Sequence, residues 1–195
     1  MKNYRDHYFK QAKAQNYPAR SVFKLKEMDK RFKLFKPGQK VLDLGAAPGS
    51  WSLYAAQRVG QEGIVVAVDL QEMETGGGNI RSFQDDVFEP SEALVHLLDE
   101  LAPFDLVISD MAPKTTGIKF ADQARSFDLA MQALALARER LIKGGHFVVK
   151  VFEGPDIREL HSEMRTLFEK VRSFKPKSSR AESKEMFSIG LGMSK

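Results

Sequence analysis

Short apolar runs alternate with longer amphipathic stretches through the middle of the chain. Lys40-Val41-Leu42-Asp43-Leu44-Gly45 reads as a buried strand, and 51–59 as a helix. Gly63-Ile64-Val65-Val66-Ala67-Val68-Asp69 is a second strand, rich in β-branched residues, and 79–84 a short third. The pattern predicts a helix over 90–101 with Ser91 as N-cap, then a fourth strand at 104–110. A long helix follows over 122–142, stopped by Gly144-Gly145, and 146–152 is a fifth strand. A helix over 157–168 and two late strands near 170–174 and 186–191 close the pattern, and an earlier helical pattern covers 19–32.

This alternation implies an α/β fold with a mainly parallel sheet covered by helices on both faces. Such sheets bind ligands beyond the carboxyl ends of their strands, where the strand order reverses. The residues to inspect are therefore Asp43 to Gly49, Asp69, Asp86, Asp110 and Lys150.

The chain's 195 residues suit a single domain, 1–195, with 1–40 as a basic N-terminal helical extension. It lacks cysteine, a signal-peptide pattern and any apolar run long enough for a membrane span, so a cytoplasmic monomer with no membrane partner is expected. Charge is divided: +9 over 1–40, −10 over 41–169 and +5 over 170–195, within a net +4. Basic ends suit a polyanion such as RNA, or are simply solvated. Tyr4, Tyr8, Phe9 and Tyr17 are candidates either to stack on bases or to pack against the following helix.

Asp43-Leu44-Gly45-Ala46-Ala47-Pro48-Gly49-Ser50-Trp51 joins the first strand to a helix. Gly45 and Gly49 permit a sharp turn and close approach of a ligand. Pro48 removes a donor that a pyrophosphate would use, so a nucleoside without phosphates fits better. Asp69, ending the second strand, is placed to bind ribose hydroxyls, and Asp85 or Asp86 to accept from an adenine amino group. With Asp43 and Asp110 these acids create a negative field, which favours a sulfonium such as S-adenosylmethionine over an anionic dinucleotide. Lys150 lies inside Val148-Val149-Lys150-Val151-Phe152; burial of its charge is costly unless it is paired, which makes it a functional candidate with Asp110 as partner.

The chain resembles the FtsJ-like family of RNA ribose 2′-O-methyltransferases. The resemblance is carried by Ser21-Val22-Phe23-Lys24-Leu25, the glycine loop through Trp51, Ser109-Asp110-Met111-Ala112-Pro113, Val148 to Phe152, and Ser178-Ser179-Arg180-Ala181-Glu182-Ser183-Lys184-Glu185. These run in family order along nearly the whole chain. Within the family it is nearest to the bacterial and archaeal enzymes that methylate a uridine of large-subunit ribosomal RNA; transfer RNA and messenger RNA cap enzymes share the same four residues. The resemblance implies a Rossmann-like fold with a seven-stranded sheet and a catalytic tetrad of Lys24, Asp110, Lys150 and Glu185. It implies cofactor contacts at Gly49, Trp51, Asp69, Asp86 and Asp110, with S-adenosylhomocysteine as product and no metal. Ser50 stands where the family commonly has glycine, and Glu72 to Asn79 reads as a variable loop, which keeps Asp85 beside Asp86 as a candidate.

On this reading Lys150 is the general base for the 2′-hydroxyl. A free lysine holds its proton to about pH 10.4, so the chemistry calls on desolvation and the neighbouring charge of Lys24 to release it, with Asp110 orienting the amine and Glu185 positioning Lys24 or the ribose. RNA as partner, within a large-subunit particle, follows from the 2′-hydroxyl chemistry and the resemblance. A nicotinamide-dependent oxidoreductase is the rival the glycine turn and Asp69 permit, and a non-catalytic RNA-binding module is the other.

Overall fold

The computed structural model describes residues 2–73, 76–180 and 183–194. Two helices, α1 (Lys2–Ala14) and α2 (Val22–Phe32), come first. Then follow β1 (Lys40–Leu44), α3 (Ser50–Val59), β2 (Ile64–Asp69), β3 (Ile80–Gln84), α4 (Glu92–Leu101) and β4 (Phe104–Ser109). The chain continues through α5 (Lys119–Arg140), β5 (Leu141–Phe152), α6 (Ile157–Leu167), β6 (Phe168–Phe174) and β7 (Glu185–Met193).

The seven strands form one sheet in the order β3-β2-β1-β4-β5-β7-β6. Pairings from β3 through β5 are parallel, and β7 runs antiparallel between β5 and β6. The order reverses between β1 and β4, so the loops after these two strands diverge and open a crevice at the carboxyl edge.

Strand periodicity of two divides the core. Leu42 and Leu44, Val66 and Val68, and Phe147, Val149 and Val151 pack under α4, α5 and α6. Val41, Val65, Ala67, Ile108 and Val148 pack on the opposite face against Leu25 and Met28 of α2 and Trp51, Ala55 and Val59 of α3. Lys150 shares the parity of Val148, and its partner across the ladder is Phe187 of that second layer. The alternation that buries the strand thus sends Lys150 toward α2.

Local signals behave as their chemistry dictates. Ser91 caps α4 by accepting from Leu94 N. The long helix begins earlier than its apolar pattern suggests, at Lys119, and ends at Arg140. Leu141 is already extended and pairs with Phe104, so Gly144-Gly145 lie inside β5 rather than terminating a helix. The register shifts between Phe104 and Leu106 at this point, and Gly144, at φ +83°, accommodates the irregularity. Among the described residues no helix is long and apolar enough to cross a membrane.

Candidate active site

The turn after β1 is built against its neighbours. Gly45 has φ +73°, and its N–H and that of Ala46 both donate to Val68 O. A Cβ at Gly45 would lie 2.5 Å from Met111 Cγ and 3.1 Å from the Met111 backbone, so glycine lets the β1 and β4 loops touch. Ala47 N donates to Asp69 Oδ2 at 2.9 Å, and Gln71 N to Asp69 Oδ1 at 2.8 Å. Among the described residues each Asp69 oxygen has one donor, which leaves it a lone pair to spare.

A cavity of about 460 Å³ opens beside this turn. Gly45 and Ala47 form one wall, Asp69, Asp85 and Asp86 a second, and Asp110 to Lys114 the third, with Leu70, Val87, Phe88 and Leu129 adding apolar surface. Asp85 is committed to local structure: Oδ1 accepts Asp86 N and Oδ2 accepts the Ser91 hydroxyl and N–H. Its hydrogen bond from the Ser91 hydroxyl, helped by those from backbone N–H groups, holds its carboxyl below the usual aspartate range. Asp86 accepts Phe88 N on Oδ1, and no hydrogen bond to Oδ2 is made among the described residues. A larger, shallower groove of about 770 Å³ runs past Gln57, Gln61, Asn79 and Arg81 on the flank of α3, but among the described residues no carboxylate lines it.

Asp43 departs from its expected role in the pocket's field. It is fully buried beneath the turn, accepting from Ser52 Oγ at 2.6 Å on one oxygen, while the other has no partner among the described residues. Burial pushes its carboxyl up to about 7; the Ser52 hydrogen bond pulls the other way, and Asp110 and Asp69 add to the rise. At neutral pH its charge is therefore only partly present.

Gly49 and Trp51, expected as cofactor contacts, stand in the same turn but are not among the residues that line the cavity. Gly49, at φ +99°, is the N-cap of α3. Trp51 is buried; its Nε1 donates to Ser21 O at 3.0 Å and its ring meets Phe187 at 5.7 Å. Gly49 shapes the turn, and Trp51 ties it to α2.

The four expected catalytic side chains converge. Lys24 Nζ donates to Glu185 Oε2 at 2.8 Å and lies 4.0 Å from Asp110 Oδ1. Lys150 Nζ is 3.1 Å from the same Asp110 Oδ1 and donates to the main-chain carbonyl oxygen of Asp110. Asp110 Oδ1 accepts no hydrogen bond of good geometry among the described residues, so its links to both amines are ion pairs. Lys150 is the most enclosed of the four, with 5% of its side chain exposed. Burial raises the Glu185 carboxyl, but the charge and hydrogen bond of Lys24, with Lys150 and Ser183, outweigh it and hold Glu185 below the ordinary glutamate range. Two ammonium groups and two carboxylates balance in a part-buried cluster, which limits the desolvation cost. Asp110 belongs to both the cluster and the cavity, and so joins an enclosed amine to an acid-lined pocket.

The aromatic candidates separate. Tyr17 is buried and donates to Gln57 Oε1 at 2.6 Å, and Tyr8 packs on Phe23, whereas Phe9 is 45% exposed. The side chain of Tyr4 lies outside the described residues, as do Ala181 and Glu182. Leu70 is a cavity residue that the sequence pattern does not mark; its place immediately after Asp69 is the available signal.

Residues 17–193 match the FtsJ-like methyltransferase family. The chain belongs to that family. A protein of Nitratidesulfovibrio vulgaris (strain DP4) called ribosomal RNA large subunit methyltransferase E is 65% identical over 98% of this chain and 95% of its own length. A protein of the same name from Lawsonia intracellularis is 52% identical over 98% and 96%. In fold, this FtsJ-like chain is similar to a Plasmodium falciparum protein described as a ribosomal RNA methyltransferase, with TM-score 0.80 and 22% identity over 91% of this chain and 98% of the other.

Proposed function

We propose that this methyltransferase moves the methyl group of S-adenosylmethionine to a ribose 2′-hydroxyl of RNA, at a uridine of large-subunit ribosomal RNA. The observation that carries the reading is Asp110, which lines the acidic cavity and pairs with the enclosed Lys150 amine. The names of the close relatives favour ribosomal RNA as the substrate.

The cavity suits the cofactor in size and charge. Asp69 has lone pairs free for a ribose diol, and Asp86 Oδ2 is free for an amino group, whereas Asp85 is engaged with Ser91. Asp69, Asp85, Asp86 and Asp110 suit a cationic nucleoside and would repel a pyrophosphate, which disfavours a nicotinamide dinucleotide. Gly49 and Trp51 support this site by fixing the turn. When bound, S-adenosylmethionine supplies an electrophilic methyl group carried on a sulfonium.

The chain's own residues act on the hydroxyl. Lys150, in its neutral form, accepts the 2′-hydroxyl proton as general base, leaving the oxygen free to form the new bond to carbon. Asp110 fixes the amine through its carbonyl and offsets the positive charge that Lys150 gains. Lys24, held by Glu185, stands on the other side of Asp110 and helps to orient the ribose. Positioning supplies the remainder of the rate. Arg20 and Glu27 of the N-terminal segment bind the backbone at Ser178 and Lys177, so the two basic parts of the chain adjoin. This supports a single RNA-facing surface beside the four residues. The test is transfer of labelled methyl from S-adenosylmethionine to unmodified ribosomal RNA or large subunits, with the product nucleotide mapped; label on a base, or none on RNA, overturns the reading. RNA affinity should fall steeply as salt rises.

A further inference from the structure

One side of α2 faces the segment that leads into β7. Lys24 and Glu27, three residues apart on α2, project the same way, and Arg20 lies in the turn just before the helix. Arg20 Nη2 donates to Ser178 O at 2.6 Å. The Glu27 carboxylate accepts one N–H on each oxygen, from Lys177 at 2.7 Å and from Ser178 at 2.8 Å. Ser178 is thus held by both halves of its backbone, its N–H by Glu27 and its carbonyl by Arg20. Between these two, Lys24 reaches Glu185, the first residue of β7.

This arrangement has a mechanical consequence. Pairing with Phe152 in β5 locates Glu185 relative to the sheet. The sheet does not contain Lys24, which stands on a helix seated by Leu25 and Met28. Apolar packing is non-directional, and the polar ties of α2 to α3, from Trp51 to Ser21 O and from Tyr54 and Arg58 to Asp29, do not reach the connection between β6 and β7. Charge-assisted hydrogen bonds from Arg20 and Glu27 to the backbone of that connection supply the directional link. At the far end of α2 the Phe32 ring meets Phe174, the last residue of β6, edge-on at 5.6 Å. The connection between β6 and β7 is therefore gripped along the length of the helix. Among the described residues Glu27 neither lines the cavity nor makes a hydrogen bond or ion pair with the four-residue cluster.

We infer that Glu27, assisted by Arg20, is a positioning residue for methyl transfer: its two-pronged hold on Lys177 and Ser178 sets the Lys24–Glu185 contact, and through Lys24 the surroundings of Asp110 and Lys150. The role in transfer rests on the function proposed above; the mechanical coupling does not.

Glu27→Gln, Glu27→Ala and Glu27→Asp test it. The glutamine amide can accept only one of the two N–H groups and turns a donor toward the other. Carboxyl NMR of Glu185 reads the Lys24 contact without any turnover. In Glu27→Gln and Glu27→Ala the Glu185 titration should move up toward the ordinary glutamate value. The rate constant kcat should fall about ten- to a hundred-fold, in keeping with a displacement of an ångström or less. Cofactor affinity and KM for RNA should hold, and Glu27→Asp, which keeps both oxygens, should recover part of the rate. The inference is overturned if folded Glu27→Gln and Glu27→Ala leave the Glu185 titration in place, or if the rate lost equals the folded protein lost. Wild-type protein that transfers no methyl to RNA would refute the proposed function, while the Glu185 titration would still decide the coupling.

Discussion

Lys150 meets Asp110 twice: its ammonium donates to the main-chain carbonyl oxygen and lies 3.1 Å from the carboxylate. The first contact depends on the backbone, the second on charge. Asp110→Asn therefore separates them. The amine should stay in place but lose its counter-charge, and kcat should fall about a hundred-fold, within the range of acid–base contributions. Because Asp110 also lines the cavity, cofactor affinity should weaken in calorimetry. Retention of full turnover would remove Asp110 from the reaction.

Asp69 connects the glycine turn to the cavity by accepting from Ala47 N and Gln71 N. Asp69→Ala deletes a charged acceptor, a loss of about 1.5–3 kcal/mol for each bond to a ligand hydroxyl. The dissociation constant for S-adenosylmethionine should rise by about ten- to a hundred-fold for each such bond on that scale. Unaltered calorimetric affinity would exclude the ribose contact.

Gly45 is sealed against Met111, and its backbone is in the left-handed region. Gly45→Ala should both strain the turn and displace the β4 loop. A cost of about 1–3 kcal/mol is expected from the backbone alone, seen as a lower unfolding midpoint together with weaker cofactor binding. An unchanged midpoint would show that the two loops tolerate separation.

Asp43 provides a pH signature. Its folded carboxyl titrates at about 7 against 3.8 for the free group, so the folded state holds a proton that the unfolded chain releases. Stability from this group therefore falls as pH rises from about 4 to about 7 and is lowest above that window, by an amount on the order of 4 kcal/mol. Asp43→Asn cannot ionise. Its stability relative to wild type in urea unfolding should improve between about pH 5 and about pH 8; parallel curves at the two values would contradict the buried-acid account.

How much of this was legible in the sequence depends on the range of the interaction. The strands at 40–44, 64–69 and 104–109 announce themselves because both faces are buried and most of their residues are apolar. The junction of α5 with β5 does not, because pairing of Leu141 with Phe104 decides it, a contact no local pattern contains. Lys150 stood out through the cost of burying an amine, and Asp110 through its place at a strand end. Lys24 and Glu185, 161 residues apart, were recognised by family resemblance, since only the folded chain brings them together. The pairing of Arg20 and Glu27 with the segment before β7 has no local pattern to announce it, since it joins residues 150 or more positions apart. Tyr17 could have faced RNA or the helix, and its bond to Gln57 shows that it faces inward.

The most direct measurement is single-turnover methyl transfer to ribosomal RNA by wild type, Lys150→Ala and Lys150→Arg, with cofactor binding measured in parallel. The account predicts a loss of about 10²- to 10⁴-fold in both variants, cofactor affinity little changed, and wild-type product carrying its methyl on a ribose oxygen. Turnover at the wild-type rate in both variants would contradict it.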